Sequence, residues 1–375
     1  MSRGSALAFL AGCLALPAFA HAPVTTTVQF DREVRRILDD HCVMCHSEEA
    51  PAFPLITYEQ TYAARWKIRQ DVLGRHMAPW AAVPGYGEFA NNNGLTQREI
   101  DFLVSWAESY GPRNNGAVYT GTATTTSAAK VVQAHTNFDR WILGNPDLRL
   151  TLRVNAQRAI LDPGLTADRW LRGLEYKPGD RRNVRFVSFA IQETGQWLGS
   201  WTPWYGFMSL PTGLAWRLPA RCHIVAELHY QGSTTPAANR DGRPMGLPGT
   251  LGLYFAAQPP PNEVANLTLE PKSSAPGKLV AAGKLADDTD ILAVQPDIFS
   301  GIHSIEVSAR APIGTTQVLL FARDIPTGWP TPYIFKRPVS LPKGTQLFVT
   351  EHYPGSSSTP AIAPVVFSVA AIRSR

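Results

Sequence analysis

The apolar residues of this chain change period near residue 110, and that change limits the folds open to it more than any other feature. Before it, Val34, Ile37 and Leu38 recur at i, i+3 and i+4, and Ile100, Leu103, Val104 and Ala107 make a second helical stripe. After it come short runs at 184–191, 223–230, 251–256, 316–321 and 346–353, separated by Pro and Gly turns. That spacing predicts antiparallel β-sandwiches. Between the two regimes, residues 111–129 are small and polar without periodicity, so a domain boundary belongs there. Thr57 with Gln60, and Thr96 with Glu99, are spaced as capping boxes. The first should open a helix that runs to Leu73 and stops at Gly74, and Gly111-Pro112 should close the last helix.

The 375 residues suffice for two or three domains. Only 17% are charged while 44% are apolar, a balance that excludes a disordered chain. The 31 prolines exceed average usage of roughly 5% and argue against an all-helical protein. The net charge of +5 includes no Lys/Arg run, so nucleic acid is not expected as a partner. Residues 1–20 carry Arg3, then an apolar stretch too short to span a bilayer, and end Ala18-Phe19-Ala20, the pattern of a cleaved secretory signal. A rival lies inside that stretch: Leu10-Ala11-Gly12-Cys13 resembles a lipoprotein box, which would leave Cys13 lipid-anchored. No later stretch has the ~20 apolar residues of a membrane helix. A periplasmic or secreted protein without a transmembrane segment is expected.

Removing the signal leaves Cys42, Cys45 and Cys222, an odd count that makes a poor disulfide framework. Cys42-Val43-Met44-Cys45-His46 is C-x-x-C-H, the pattern of c-type haem attachment. Two thiols one helical turn apart can add to the two vinyl groups of a haem, and the next residue then places its imidazole under the iron. A thioredoxin-like use of C-x-x-C would need a βαβ setting that is absent. His41, beside the motif, reads as a surface residue. The sixth iron position has two candidates, His76 and Met77, in Arg75-His76-Met77-Ala78-Pro79-Trp80. Three helices around C-x-x-C-H resemble a class I cytochrome c, in which a Met in a loop before the last helix fills that position. The resemblance implies Met77 as distal ligand, with Pro79 stiffening its loop and Trp80 in the haem pocket. A thioether there raises the potential relative to a second imidazole.

The β region contains a repeat. Leu218-Pro219 matches Leu341-Pro342 and His229-Tyr230 matches His352-Tyr353, all at an offset of 123, with six identities over sixteen positions. Duplication of a β domain is expected, with the seam at 259–261. Residues 197–207, with Trp197, Trp201, Trp204, Tyr205 and Phe207, form an aromatic stretch that reads either as core packing or as a recognition surface. Asp162, Asp168 and Glu175 have no spacing that pairs them as acid and base.

A broader resemblance rests on Cys42–His46, 51–55, Met77-Ala78-Pro79-Trp80, the helix over 95–106, Trp141, Gly144-Asn145-Pro146-Asp147-Leu148, Asp168-Arg169-Trp170, 177–181 and 341–345. These segments look like cytochrome c domains fused to copper type II ascorbate-dependent monooxygenases, the class of peptidylglycine α-hydroxylating and dopamine β-monooxygenases. The resemblance implies two jelly-roll-like sandwiches, each holding one copper in the active enzymes. The ligands, however, are mostly missing. Arg185 and Phe186 stand where the first site has a His-His pair, Asp297-Ile298-Phe299 where the second has His-x-His, and no methionine follows Met245. His229 alone keeps a copper-ligand position, and one imidazole does not hold copper.

The expected architecture is therefore α+β and multidomain. A signal at 1–20 precedes a small all-α class I cytochrome c domain (24–112), a linker (113–138) and two jelly-roll-like antiparallel β-sandwiches (139–258 and 259–375). The expected function is one-electron transfer through haem c held by Cys42, Cys45, His46 and Met77, with a redox protein as partner. The β region would be a scaffold or docking module without copper. The alternative is a copper-dependent hydroxylase supplied with electrons by the fused haem.

Overall fold

The computed structural model describes residues 26–48, 52–114, 140–152, 157–179, 184–230, 249–296, 302–325, 329, 331–353 and 365–371. The signal segment, Cys13, most of the linker and Asp297–Phe299 lie outside them. The first apolar stripe forms a π-helical turn, Phe30–Val34, running into α1 (Arg35–His41). The helix expected to reach Leu73 is divided at Ala64 into α2 (Tyr58–Ala63) and α3 (Arg65–Leu73), and α4 (Gln97–Glu108) follows. Both capping boxes form. Thr57 and Thr96 each accept from the backbone N–H three residues on, at 3.2 Å. Gln60 and Glu99 accept in return from the backbone N–H of Thr57 and Thr96, satisfying donors that a helix start otherwise leaves orphaned. Val34, Ile37, Leu38, Ile68, Leu103 and Trp106 meet in one buried cluster, and Arg69 pairs with Glu108 across α3 and α4 at 2.6 Å.

Among the described residues the rest is strand. The first half holds β1 (Leu148–Leu152), β2 (Arg158–Leu161), β3 (Arg169–Lys177), β4 (Val184–Ile191), β5 (Trp197–Trp201), β6 (Phe207–Ser209), β7 (Leu214–Leu218), β8 (Ile224–Tyr230) and β9 (Gly249–Phe255). The second holds β10 (Asn262–Thr268), β11 (Glu270–Ala275), β12 (Lys278–Lys284), β13 (Thr289–Pro296), β14 (Ser304–Arg310), β15 (Thr316–Arg323), β16 (Tyr333–Leu341), β17 (Gln346–His352) and β18 (Val365–Ala371).

One nine-stranded sheet runs through both halves in the order β1-β9-β3-β7-β10-β18-β13-β16, with β6 beside β3. The halves join where β10 pairs in parallel with β7, Asn262 opposite Leu214 and Glu263 opposite Ala215. A four-stranded sheet, β2-β8-β4-β5, covers the first half, and Leu174, Phe189, Leu198, Trp216 and Leu228 fill the space between. A five-stranded sheet, β11-β12-β17-β14-β15, covers the second around Ile291, Ile305, Leu320, Leu347 and Phe367. Leu292, Ile334 and Ala370 of the second half join the first half's core. Strands such as β13 are thus buried on both faces, which is why its sequence runs apolar instead of alternating. The repeat occupies matching places. In each copy Leu-Pro ends a strand of the shared sheet, β7 or β16, and the chain crosses to an interior strand of an outer sheet, β8 or β17.

This arrangement corrects the expected architecture. Among the described residues 44% are strand and 15% helical, with four short α-helices, and no small all-α class I cytochrome c domain stands apart from the β structure. The two sandwiches are also not separate, since one sheet serves both. The physical reason lies in residues 81–90, between α3 and α4. The open side of the second sandwich exposes two edge strands, β15 and β16, whose backbone groups need partners. Val83 N–H donates to the Phe321 carbonyl at 2.8 Å and Arg323 N–H to that of Ala81 at 3.1 Å, which covers β15. Ala90 N–H donates to the Ile334 carbonyl at 2.7 Å and Lys336 N–H to that of Glu88 at 2.9 Å, which covers β16. Asn91, 2% exposed, completes the seam. Its amide donates to the Pro332 carbonyl at 2.6 Å and its Oδ1 accepts from Ile334 N–H at 3.1 Å.

Candidate functional site

α1 carries its turn into the cysteine motif. Cys42 N–H donates to the Leu38 carbonyl at 2.8 Å and His46 N–H to that of Cys42 at 2.9 Å. This local winding brings Cys42, Cys45 and His46 to one cleft of about 1190 Å³, including its open mouth. Leu38, Leu55, Ile68 and Val72 give the cleft an apolar floor, and Met77 enters its lining.

The state of each donor follows from its surroundings. His46 Nδ1 lies 2.8 Å from the Phe53 carbonyl. A carbonyl can only accept, so Nδ1 carries the proton and Nε2 keeps a lone pair. Burial holds the His46 pKa below its ordinary value, although the Phe53 bond and Asp71 push the other way. The ring is therefore neutral, the form that binds a metal. Burial pushes both thiols up to about 12, with Arg185 pulling Cys45 slightly back. They are protonated and unsuited to thiol–disulfide exchange, which needs a thiolate. Two neutral thiols, an imidazole with a free Nε2 and a thioether on one apolar cleft are a donor set that fits haem c.

His41 is half-buried on the cleft and not a surface residue. Its Nδ1 faces the Asn93 carbonyl at 3.2 Å and its Nε2 faces Glu99 at 3.5 Å. Met77 is 41% exposed, while His76 is exposed and outside the lining. Trp80 turns away from the cleft and packs on Tyr333 and Phe89 at ring distances of 5.2 and 5.8 Å, against the core of the second sandwich.

The opposite wall comes from the β region, which sequence reasoning missed. Val184, Arg185, Pro203 and Trp329 close that side. Arg185 lies over the Trp329 ring at 5.4 Å. Trp329 meets Trp204 at 5.4 Å, and Trp204 Nε1 donates to the Asn91 carbonyl at 3.1 Å. The aromatic stretch thus divides, with Trp197 and Trp201 buried in the sandwich core and Trp204 fastening the cleft wall to the helical segment. Those tryptophans were the one signal available in the sequence.

At the copper positions implied by resemblance, Arg185 enters the cleft and Phe186 is buried beneath the ring of His229, 5.5 Å away. His229 itself is exposed on β8, and burial lowers its pKa. Among the described residues no group of three or more His, Cys, Asp or Glu is placed to hold a metal ion. The acids serve the fold. Asp162 accepts from Gly164 N–H, Asp168 from Arg217 and Ala220, and buried Glu175 from the backbone of Ile142 and Leu143 and the Tyr254 hydroxyl.

No protein-family model matches the chain, and no curated protein matches it in sequence. Among solved structures it is similar to the major capsid protein P2 of bacteriophage PM2, at 10% identity and a TM-score of 0.29 over 60% of this chain and 98% of that one. PNGF-II is similar at 9% identity and a TM-score of 0.26, over 72% and 70% of the two chains. A glycoside hydrolase 29 family member from an unknown rumen bacterium has 10% identity and a TM-score of 0.17, over 73% and 50%. Likeness at this level carries no argument about the present chain. Among the described residues no helix is long and apolar enough to cross a membrane.

Proposed function

We propose that the protein is an exported c-type electron carrier with a single covalently held haem. The observation that carries this reading is the convergence of Cys42, Cys45, His46 and Met77 on one apolar cleft. Bound haem supplies a one-electron iron couple. Cys42 and Cys45 would tether it, His46 would ligate iron through Nε2, and Met77 would offer its thioether as the second iron ligand. The Phe53 carbonyl orients the His46 ring and raises its basicity through Nδ1, the hydrogen bond that a ligating histidine usually makes with its other nitrogen. The apolar walls would keep water from a bound haem, the β region supplying one of those walls, and the β region would act as the docking module for a redox protein.

The test is expression of the full chain, with its signal, in a host that matures c-type cytochromes. A pyridine haemochrome assay after acid–acetone extraction should find about one covalent haem per chain, and a redox titration should show one reversible electron. Cys42→Ser with Cys45→Ser should abolish covalent retention. A colourless protein from a competent host would overturn the proposal.

A further inference from the structure

Two tryptophans stand where the β region closes the cleft, and the fold holds both rings in place. Trp329 lines the cleft beside Val184 and Pro203. Its ring meets that of Trp204 at 5.4 Å, tilted by 48°. Trp204 is outside the lining and only partly buried, so the pair leads from the cleft toward the outer surface of the β region. Arg185 lies over the Trp329 ring at 5.4 Å, and Trp204 Nε1 donates to the Asn91 carbonyl at 3.1 Å, which fixes the orientation of each indole. Electron tunnelling decays steeply with the length of saturated or empty space to be crossed. Two indoles in contact shorten that space, whereas Val184 and Pro203 beside them are saturated. Besides the histidines, the only other aromatic ring among the described lining residues is Phe53, on the helical side. The cluster of Trp80, Phe89 and Tyr333 does not reach the lining.

We propose that Trp329 and Trp204 form the path by which an electron crosses the β wall, between the cofactor and a redox protein docked on that side. This rests on the haem reading above and adds the route. The rings couple the two centres and are not themselves oxidised. The cofactor gives up one electron, a one-electron acceptor takes it, and no bond or proton moves.

The experiment uses the full-length holoprotein, assayed first for covalent haem, with a ruthenium polypyridine complex on an introduced cysteine as the photochemical oxidant. Tyr205→Cys places the label next to Trp204 in sequence, on the β side, and Leu73→Cys places it at the exposed end of α3, on the helical side. Flash oxidation of the label and transient absorption of the haem give the rate. From the label at position 205, Trp329→Leu and Trp204→Leu should each lose most of the rate, and Trp329→Phe should regain part of it. From the label at position 73, Trp329→Leu should leave the rate unchanged, and the midpoint potential should be that of the wild type throughout. A second readout needs no electron transfer: ferric iron should broaden the fluorine NMR signals of fluorotryptophan at both positions, Trp329 more than Trp204. An unchanged rate from position 205 in Trp329→Leu, or an equal loss from both labels, would overturn the tryptophan path and leave the haem reading standing. A wild type without covalent haem would overturn both.

Discussion

A histidine whose Nδ1 is committed to a carbonyl has only Nε2 to offer, and His46 lines the cleft. Met77 has a looser hold: it is 41% exposed, in the segment after α3. Substitution there should cost little stability and act on the iron instead. Met77→His should keep covalent haem yet lower the midpoint potential, because imidazole holds ferric iron better than a thioether does. Optical redox titration reads this directly. An unchanged midpoint would mean that Met77 is not the distal ligand. The motif and both distal candidates were legible in the sequence because ligand chemistry resides in residue type and short spacing. The placement of Trp80 against Tyr333 was not, because it depends on a strand more than two hundred residues away.

At the scale of elements, α4 is fixed at its start by the Thr96–Glu99 box. Thr96→Ala should cost about 1 kcal/mol in urea unfolding at neutral pH. The box is also sensitive to pH. Burial pushes the Glu99 pKa up, but hydrogen bonds from Thr96 and the nearby His41 outweigh it, so the folded value lies below the ordinary 4.5. A carboxylate depressed in this way contributes its stability above the unfolded value and loses it as pH falls through the folded one. The stability gap between wild type and Glu99→Gln should therefore be full above about pH 4.5 and close below it. A gap that stays constant from pH 7 to pH 3 would show that the Glu99 carboxylate makes no charge-dependent contribution. Both capping boxes could be read from spacing alone, whereas the division of α2 from α3 at Ala64 had no such signal.

The whole molecule is organised by a seam. Residues 81–90 cover the edges of β15 and β16, and Asn91 fastens the end of that strap through two buried hydrogen bonds. Asn91→Ala would leave the Pro332 carbonyl and Ile334 N–H without these partners, a loss of about 2–3 kcal/mol for two buried groups. Its thermal midpoint should drop by several degrees and protease should cleave within 81–90. A variant that melts and resists protease as the wild type does would show that the strap is held elsewhere. Trp204 donates to the backbone carbonyl of Asn91, which this substitution leaves in place, so the contact to the cleft wall should survive it.

What the sequence by itself determined was short-range: the helical stripes, the capping boxes, the turn through Cys42 and Cys45, and the β runs with their repeat. Each depends on residues within a few positions, where backbone geometry allows little choice. Only the tertiary structure decided that one sheet serves both sandwiches, that the helical segment is strapped to the second, and that Arg185 and Trp329 face the thiols. Backbone pairing across two hundred residues leaves no mark on composition or period, since any residue can lend its N–H and carbonyl to such a bond.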